Sequence, residues 1–424
     1  MDLKMGSVAL LIAMAPAVAD AAGAETVLYR FTGGADGLIP ASGLILDASG
    51  NLYGTTTGGF GISGGNVFEL SPVAGRVTWH ENVLHSFTGP PDGASPWAGL
   101  TADASGNLYG TTMDGGSSGA GTVFQLAPPA AGMTTWAESV LHSFGGGTGD
   151  GGSPAAPLAL AAGDNVYGIT RQGGSAGLGT AFKLVPPTGG GTPWTENVLH
   201  SFTGGNDGSY PGTPYATAWL IIGPGGKLYG TTYDGGTANS GTVVEVNSST
   251  GKEKVLYSFL GGADGANPQA GLITGAGGKL YGTTFDGGAA NVGTVFSLTP
   301  PTEGQTAWTE TVLYSFKGGT GSKDGANSTA GLIADANGNL YGTTNNGGGS
   351  SACSYGGCGT VFKLVPPAKG KTSWAEVVLY RFKGGKDGID PSAGVIADEN
   401  RNLYGTTSYG GGAANAGIVF KIAP

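Results

Sequence analysis

Charge is scarce in this sequence. Only 11% of its 424 residues are Asp, Glu, Lys or Arg, the formal net charge is -10, and no stretch clusters lysine or arginine. Proteins that bind nucleic acid need a positive patch that displaces counterions, and anionic membrane surfaces attract the same kind of patch. The composition therefore argues against both partners and favours a neutral ligand.

Catalytic and metal-binding motifs are also missing. The sequence has no G-x-S-x-G elbow, no H-E-x-x-H pair, no phosphate-binding loop and no dinucleotide fingerprint. The histidines are His80, His85, His142 and His200, and the last three stand in a repeated V-L-H-S-F segment whose other copies carry Tyr. A histidine that is interchangeable with tyrosine on a strand indicates packing. We expect no cofactor and no metal.

Cysteine is nearly absent. Cys353 and Cys358 form one C-x4-C spacing in a Gly/Ser loop, and no histidine lies nearby to complete a zinc site. An exported chain meets an oxidising compartment, which favours a local disulfide. We predict that bridge. Because the loop that it closes is short, we expect a small contribution to global stability.

A long hydrophobic run occurs only at the N terminus. Lys4 precedes the apolar run Val8–Ala19, and small residues follow it. This is the pattern of a cleaved secretion signal over residues 1–24, and the run is too short to span a bilayer. The sequence predicts a secreted or periplasmic protein without membrane insertion.

Glycine, in contrast, is abundant and regularly placed. The chain has 86 glycines and 23 prolines, and many recur in register within a repeated unit such as Gly331–Leu364. The core of that unit, Leu340-Tyr-Gly-Thr-Thr344, returns at intervals of roughly 60 residues, which indicates an array of equivalent supersecondary units. The seven copies surround Tyr53, Tyr109, Tyr167, Tyr229, Tyr281, Tyr341 and Tyr404, and we number the units 1 to 7 in that order.

Each unit has the pattern of four short strands, A to D, without helical periodicity. In unit 6 these strands are expected at 330–335, 339–344, 359–364 and 374–382. Asn337-Gly338 is expected to form a two-residue hairpin turn between A and B. Seven four-stranded antiparallel sheets in series predict an all-β fold, a seven-bladed β-propeller that forms a single domain over residues 25–424.

The two ends of the chain complement each other. Residues 25–31 have the pattern of a D strand without a unit of its own, and the chain ends on the C strand of unit 7 at 417–422. We predict that 25–31 completes blade 7. N-terminal strand pairing with the last blade would then close the ring and leave no open sheet edge.

The D strands carry a recurring glutamate. A charge on an outermost strand prevents pairing between sheet edges. We interpret these residues as structural charges on the rim, since all the units share them. They are Glu81, Glu138, Glu196, Glu253, Glu310 and Glu376.

The LYGTT…GG…GTVF pattern, with an Asp-Gly turn before it, resembles the GloVer tandem repeat of bacterial exported proteins. The resemblance covers essentially the whole chain after residue 24. It implies secretion or a surface location and β-propeller-like repeats. It carries no established activity and no catalytic residues, so function has to be argued from the side chains.

Strand parity places the D–A loops and the B–C loops on one face of the ring, which we call the D–A/B–C face. Each D–A loop contains an Asp-Gly pair. Asp-Gly is turn chemistry, because the carboxylate bonds nearby amides and glycine accepts positive φ. A ring of carboxylates that binds Ca²⁺ or sugar hydroxyls is the alternative, although one Asp per loop is few for Ca²⁺.

Departures from the repeat are better candidates for a site, because a symmetric ring that binds one ligand must differ somewhere. The most irregular segment is the D–A loop of unit 4, Asp207–Trp219. The position after the Thr-Thr of strand B also varies between units. The ligand-binding candidates are Arg171, Tyr210, Tyr215, Trp219, Tyr233, Asp234, Phe285, Asp286 and Trp97.

Exposed aromatic rings beside carboxylates suit the apolar faces and hydroxyl edges of sugars. The alternative is that these rings pack the longer loop. Three functions therefore stay open. The first is the binding of an extracellular glycan or small molecule by a monomer on the D–A/B–C face. The second is a polysaccharide lyase or glycoside hydrolase, with Arg171 on an acidic sugar and Tyr233 or Asp234 as acid or base. The third is a structural scaffold for protein interaction.

Overall fold

A computed structural model describes residues 24–58, 64–73, 75, 78–161, 163–212, 220–319, 321–354 and 356–423. Nearly all of the expected secretion signal lies outside these residues. Seven four-stranded antiparallel sheets are arranged in a ring, which confirms the seven-bladed β-propeller. The described residues include three single 3₁₀ turns and no α-helix, and no helix there has the length and hydropathy needed to cross a membrane.

Within each blade the strands follow one another in the spatial order A-B-C-D. The A strands are Ile45–Leu46, Thr101–Ala102, Ala159–Leu160, Ile221–Gly223, Ile273–Thr274, Ile333–Ala334 and Ile396–Ala397. The B strands are Leu52–Thr56, Leu108–Thr112, Val166–Thr170, Lys227–Thr232, Leu280–Thr284, Leu340–Thr344 and Leu403–Thr407. The C strands are Asn66–Pro72, Thr122–Ala127, Thr180–Val185, Thr242–Asn247, Thr294–Thr299, Thr360–Val365 and Ile418–Ile422. The D strands of blades 1 to 6 are Trp79–Ser86, Ala137–Ser143, Thr195–Ser201, Glu253–Ser258, Thr309–Ser315 and Ala375–Arg381, and the 3₁₀ turns are Pro224–Gly226, Gly262–Asp264 and Ala276–Gly278.

Blade 7 takes its D strand from the start of the chain. Glu25–Arg30 pairs antiparallel with Ile418–Ile422, as the sequence predicted. The closing junction also carries a hydrogen bond that recurs between other blades, in which Thr406 Oγ1 donates to the Ser42 carbonyl at 3.0 Å. Ring closure therefore relies on the same contacts as the internal junctions.

The A strands are shorter than the sequence suggested. The segment before each ladder also contacts the preceding blade. Thr55 Oγ1 donates to the Ala98 carbonyl, and Thr343 Oγ1 donates to the Ala393 carbonyl, at 3.0 Å and 2.8 Å. These threonines follow the tyrosine of LYGTT by two residues. The whole LYGTT motif thus pairs with strand C, and the side chain of its first threonine also links two blades.

The expected two-residue turn at Asn337-Gly338 is wrong. Asp335 and Asn339 close a loop with three residues between them, since Asp335 N donates to Asn339 O. One Asp335 carboxylate oxygen accepts from the backbone N–H groups of Asn337 and Asn339, and the other accepts from the Tyr341 hydroxyl. A carboxylate that bonds these amides favours the longer loop over a tight turn.

The glycine of LYGTT is required by packing. In blade 5, Gly282 lies directly opposite Phe296 of strand C, and the ring covers the bare glycine. A Cβ at Gly282 would lie 2.7 Å from Phe296 Cζ and 2.9 Å from Leu272 Cδ2. Phe259, which follows the D strand of blade 4, then packs edge-on against Phe296 with 5.0 Å between ring centroids.

This glycine–phenylalanine stack recurs around the ring, with one exception in the described chain. Buried phenylalanines from one blade contact the C-strand phenylalanine of the next. The pairs are Phe31–Phe68, Phe87–Phe124, Phe144–Phe182, Phe259–Phe296, Phe316–Phe362 and Phe382–Phe420. In blade 4 the C-strand residue is Val244, opposite Gly230.

The predicted disulfide joins Cys353 and Cys358 in the B–C loop of blade 6. Cys358 is fully buried in a cluster that includes Phe382 and Phe420. The bridge therefore attaches an extended loop to the core between blades 6 and 7.

The interpretation of the D-strand glutamates as rim charges is wrong. Each lies half-buried at a junction between blades. It faces the Asp of the D–A loop that leads into its own blade, and that Asp contacts a Tyr or His on the D strand of the preceding blade. We call these groups the junction triads. They are Tyr29–Asp36–Glu81, His85–Asp92–Glu138, His142–Asp150–Glu196, His200–Asp207–Glu253, Tyr257–Asp264–Glu310, Tyr314–Asp324–Glu376 and Tyr380–Asp387–Glu25.

The junction triads hold carboxylic acids away from water. In each, the glutamate Oε1 is buried and has no hydrogen-bond partner among the described residues. Burial is the largest cause that raises the pKa of these glutamates, to about 7 for Glu310 and Glu376. The folded protein therefore retains protons on these glutamates that an unfolded chain would release.

The stack makes the LYGTT glycine intolerant of a side chain. We expect Gly282→Ala to lower the free energy of unfolding by about 2 kcal/mol, because the added Cβ overpacks against Phe296. Gly230→Ala is the matched control, since its Cβ would meet only Leu220 Cδ2 at 3.1 Å. Urea unfolding of both variants measures the difference, and equal destabilisation would contradict this role of the phenylalanine.

The junction triads make stability depend on pH. Burial, and then the Asp264 carboxylate, raises the pKa of Glu310 from 4.5 to about 7. Between these values the unfolded state binds fewer protons, so this contribution is fully present below the lower value and is lost as the pH rises through the upper one. The free energy of unfolding should therefore fall as the pH rises. We expect Glu310→Gln to reduce the slope of this fall by about one seventh, because it removes one of seven equivalent glutamates. The double variant Glu310→Gln/Glu376→Gln should reduce the slope by twice as much.

Thermal or urea unfolding between about pH 5 and pH 8 measures this slope. Replacement of the exposed Glu303 by Gln is the control, and we expect that variant to follow the parent protein. A double variant with the parent's slope would show that these glutamates do not hold the protons.

Candidate functional site

The D–A and B–C loops meet on one face, as strand parity predicted. In four blades they form a short ladder, for example Gly93–Ala94 with Asp114–Gly115 in blade 2. Blades 4 and 5 have single bridges in its place, Ser209 with Asp234 and Ala266 with Asp286. The other ladders are Gly151–Gly152 with Gln172–Gly173, Gly325–Ala326 with Asn346–Gly347, and Gly388–Ile389 with Tyr409–Gly410.

One position in each blade links neighbouring blades on this face. It lies two residues after the Asp-Gly glycine, and it has a left-handed backbone, with φ between 52° and 60°, in all the blades. Proline follows it in six blades, and so we call it the pre-proline position. Its occupants are Ile39, Ser95, Ser153, Tyr210, Asn267, Asn327 and Asp390.

Each pre-proline residue joins two blades through its backbone. In blade 4, Tyr210 N donates to Leu178 O of blade 3, and Tyr210 O accepts from Tyr233 N of its own blade. In blade 5, Asn267 makes the equivalent bonds to Ser240 and Phe285. The variable residue after Thr-Thr is thereby held beside the pre-proline residue of its own blade.

The pre-proline side chains reach back to the variable residue of the preceding blade. The Tyr210 ring lies against the Arg171 guanidinium, whose Cζ is 5.7 Å from the ring centroid. Asn267 Nδ2 donates to the Tyr233 carbonyl at 3.0 Å and to Asp234 Oδ1 at 3.2 Å. A continuous set of side chains therefore crosses blades 3, 4 and 5.

Arg171 holds a distinctive place in this set. The side chain is half-buried, and its Nε is buried without a hydrogen-bond partner in the described part of the chain. The contact with Tyr210 is a cation–π interaction, worth about 0.5–1 kcal/mol at a partly exposed site. Arg171 thus retains an unused donor beside an aromatic ring.

The acidic groups of the set are held partly out of water. Burial raises the pKa of both Asp234 and Asp286, and the Asn267 hydrogen bond opposes the shift at Asp234. Burial, followed by the charges of Asp234 and Asp286, raises the pKa of the Tyr233 phenol. Tyr233 therefore remains a hydrogen-bond donor at neutral pH and is unsuited to act as a base.

The opposite part of the same face is apolar. Trp97 is 7% exposed and packs with Ile39 and Ala41, and Met113 joins the cluster. This cluster covers blades 7, 1 and 2, so Trp97 is separate from the set on blades 3 to 5. Tyr215 and Trp219 lie outside the described residues.

The family model for the Gloeobacter/Verrucomicrobia repeat matches residues 17–139, 80–218 and 197–420. The chain belongs to this repeat family. The match confirms the resemblance that the LYGTT pattern indicated. A search of curated proteins found no match to the chain.

Solved structures are similar to this Gloeobacter/Verrucomicrobia repeat protein at low sequence identity. An oligogalacturonate lyase from Vibrio parahaemolyticus is 10% identical, with a TM-score of 0.52 and coverage of 95% of this chain and 98% of that one. A protein of unknown function from Dyadobacter fermentans is 13% identical, with a TM-score of 0.42 and coverage of 94% and 98%. An ancestral GH74 enzyme is 14% identical, with a TM-score of 0.46, and the match covers 72% of this chain and 41% of that one.

Sequence reasoning missed part of the site. Asn267 Nδ2 donates a hydrogen bond to the Tyr233 carbonyl, and Asn327 Nδ2 donates to the Phe285 carbonyl, each at 3.0 Å. Asp390 is also at a pre-proline position, and burial raises the pKa of its carboxyl to about 6. The available sequence signal for Asn267 and Asp390 was the variable residue before proline in the D-G-x-x-P pattern.

A cavity lies elsewhere in the described part of the ring. It has a volume of about 250 Å³ on the opposite face, where Tyr53, Asp47 and Trp136 line it between blades 1 and 2. The Tyr53–Trp136 contact recurs at other junctions, as Trp79–Tyr404 and Trp308–Tyr229. We attribute this cavity to the stacking of the blades, because its walls are common to the repeat.

Proposed function

We propose that the protein is exported and binds a carbohydrate on the D–A/B–C face at blades 3 to 5. The observation that carries this proposal is the break in symmetry there. Arg171, Tyr210, Tyr233 and Phe285 are half-exposed and occupy successive blades, where the equivalent positions of other blades hold small polar residues or the apolar cluster. A ligand bound on this face contacts several blades at once.

The chemistry of these side chains suits sugars. Aromatic rings stack on the apolar faces of pyranose rings, and carboxylates and amides accept or donate to hydroxyl groups. Asp234, Asp286 and Asn267 supply such groups beside Tyr233, whose phenol is protonated. Arg171 adds a cation that favours an acidic sugar.

Tyr215 and Trp219 would extend the aromatic surface from the long D–A loop of blade 4. Trp97 would support the face from the apolar side. The apolar run within residues 1–24 and the Cys353–Cys358 disulfide support export. The net charge of -10 without a basic cluster is unfavourable for a nucleic-acid partner, and we propose a monomer.

A glycoside hydrolase or polysaccharide lyase is the second candidate. A carboxyl group whose pKa is raised toward neutrality is what a general acid requires, and burial shifts Asp234 and Asp286 in that direction. The raised pKa of Tyr233 disfavours a lyase that uses this phenol as its base. A protein-interaction scaffold, the third candidate, would involve neither binding of sugars nor turnover.

Removal of the aromatic surface tests the binding proposal. We expect Tyr233→Ala/Trp219→Ala to weaken retention on an immobilised polysaccharide that the parent binds by tenfold or more, or about 1.4 kcal/mol. Tyr233→Phe should lose less, because the ring remains. Affinity electrophoresis against a panel of neutral and acidic polysaccharides measures retention.

Met133→Ala is the matched control, since Met133 is 68% exposed in a loop of the opposite face. Unchanged retention of the double variant, with an unchanged Tm, would reject this site. The same panel separates the second candidate, because new reducing ends or the absorbance of an unsaturated uronate would establish an enzyme.

A further inference from the structure

The junction triad between blades 2 and 3 differs from the others. His142 Nε2, one Asp150 oxygen and one Glu196 oxygen lie within 4.8 Å of one another. The atoms His142 Nε2, Asp150 Oδ1 and Glu196 Oε1 are all buried, and none has a hydrogen-bond partner within the described ranges. Three unsatisfied ligand atoms from three side chains thus converge on one point.

The two junctions that follow hold the equivalent side chains by hydrogen bonds, whereas in the preceding triad His85 Nε2 lies 3.4 Å from Asp92 Oδ2 and also lacks a hydrogen-bond partner within the described residues. In the next triad His200 Nε2 bonds Asp207 Oδ2 at 3.2 Å, and in the one after it the Tyr257 hydroxyl donates to Asp264 at 2.6 Å. At His142 the separation from Asp150 Oδ1 is 3.6 Å, too long for such a bond. The D–A loop there has one more residue, because Asp150 follows Phe144 by six positions and Asp207 follows Phe202 by five.

Because of the extra residue, the Asp150 carboxylate makes a different hydrogen bond to the backbone of its loop than Asp207 makes in the next triad. Asp150 Oδ2 accepts from the Gly145 N–H, which directs Oδ1 toward the histidine. The His142 imidazole also interacts with the Trp194 backbone. A histidine anchored in this way is oriented as metal-ligating histidines usually are.

The separation of His142 Nε2 and Asp150 Oδ1 matches a small divalent ion. Zinc–nitrogen and zinc–oxygen bonds of about 2.0–2.1 Å in a tetrahedron place neighbouring ligand atoms about 3.4 Å apart. The 3.6 Å between His142 Nε2 and Asp150 Oδ1 is close to that value. An imidazole in the ligand set selects transition metals over Ca²⁺ and Mg²⁺, which prefer oxygen alone.

We propose that His142, Asp150 and Glu196 form a binding site for a divalent transition metal ion, with Zn²⁺ as the ion that best matches one nitrogen and two carboxylate ligands. His142 belongs to the D strand of blade 2, and Glu196 belongs to the D strand of blade 3. The ion therefore joins two blades near the D–A/B–C face. Three protein ligands leave the fourth position of a tetrahedral ion for water or a ligand atom.

Zinc titration of the full chain tests the site. Untagged protein is treated with a chelator and titrated with Zn²⁺ by calorimetry, and Co²⁺ binding is followed by its visible absorption. We expect one equivalent of tightly bound metal and a rise of Tm with free Zn²⁺. Failure to bind Zn²⁺ or Co²⁺, or binding of Ca²⁺ in preference to both, would overturn the proposal.

The repeat provides conservative variants. His142→Tyr places the residue that four other triads carry at this position, so the fold tolerates it, and we expect metal affinity to fall by about 100-fold or more. His200→Tyr is the matched control and should retain the parent affinity. Equal affinity of His142→Tyr and the parent, or loss of binding only in His200→Tyr, would exclude the His142 site.

Discussion

In nearly every blade, the ring of a C-strand phenylalanine covers a bare glycine of its own B strand, and a phenylalanine from the preceding blade packs on that ring. The stack fills the space between sheets, and its rings are fully buried, as Phe259 and Phe296 show. The glycine cannot acquire a side chain and the ring cannot shrink without a void. This constraint sets the spacing of the blades, and therefore where the loops of the D–A/B–C face meet.

Blade 4 lacks this phenylalanine stack, and blade 4 also carries the most irregular loop of the D–A/B–C face. Its C strand has Val244 in place of phenylalanine, and Gly230 faces Leu220 alone at close range. Its D–A loop is the longest departure in sequence, and its pre-proline and variable positions both hold tyrosine, Tyr210 and Tyr233. A core with less aromatic packing and a face with more aromatic surface thus occur in one blade. That coincidence supports blade 4 as the centre of the proposed site.

The junction triads show how one substitution in a repeated structural group can create a candidate metal ligand. Every triad buries a glutamate beside an aspartate, and an acid proton is the simplest way to relieve the repulsion. The identity of the third residue decides what else is possible, because tyrosine donates one hydrogen bond and histidine offers a metal ligand. Only a displaced aspartate separates His142 and Asp150 from the hydrogen-bonded arrangement of His200 and Asp207.

The sequence alone determined the number of blades, their four strands and the closure by residues 25–30, because each follows from local periodicity and from a register that repeats along the chain. It also pointed to Arg171, Tyr210, Tyr233 and Phe285 as departures on one face. Tertiary structure decided the surroundings of each side chain. It buried Trp97, placed Asn267 against Tyr233, and moved the D-strand glutamates from the rim into the junctions. Those contacts join residues of different units, 34 positions apart for Asn267 and Tyr233, through the stacking of neighbouring sheets, and no local pattern within one unit encodes what the next unit will place against it.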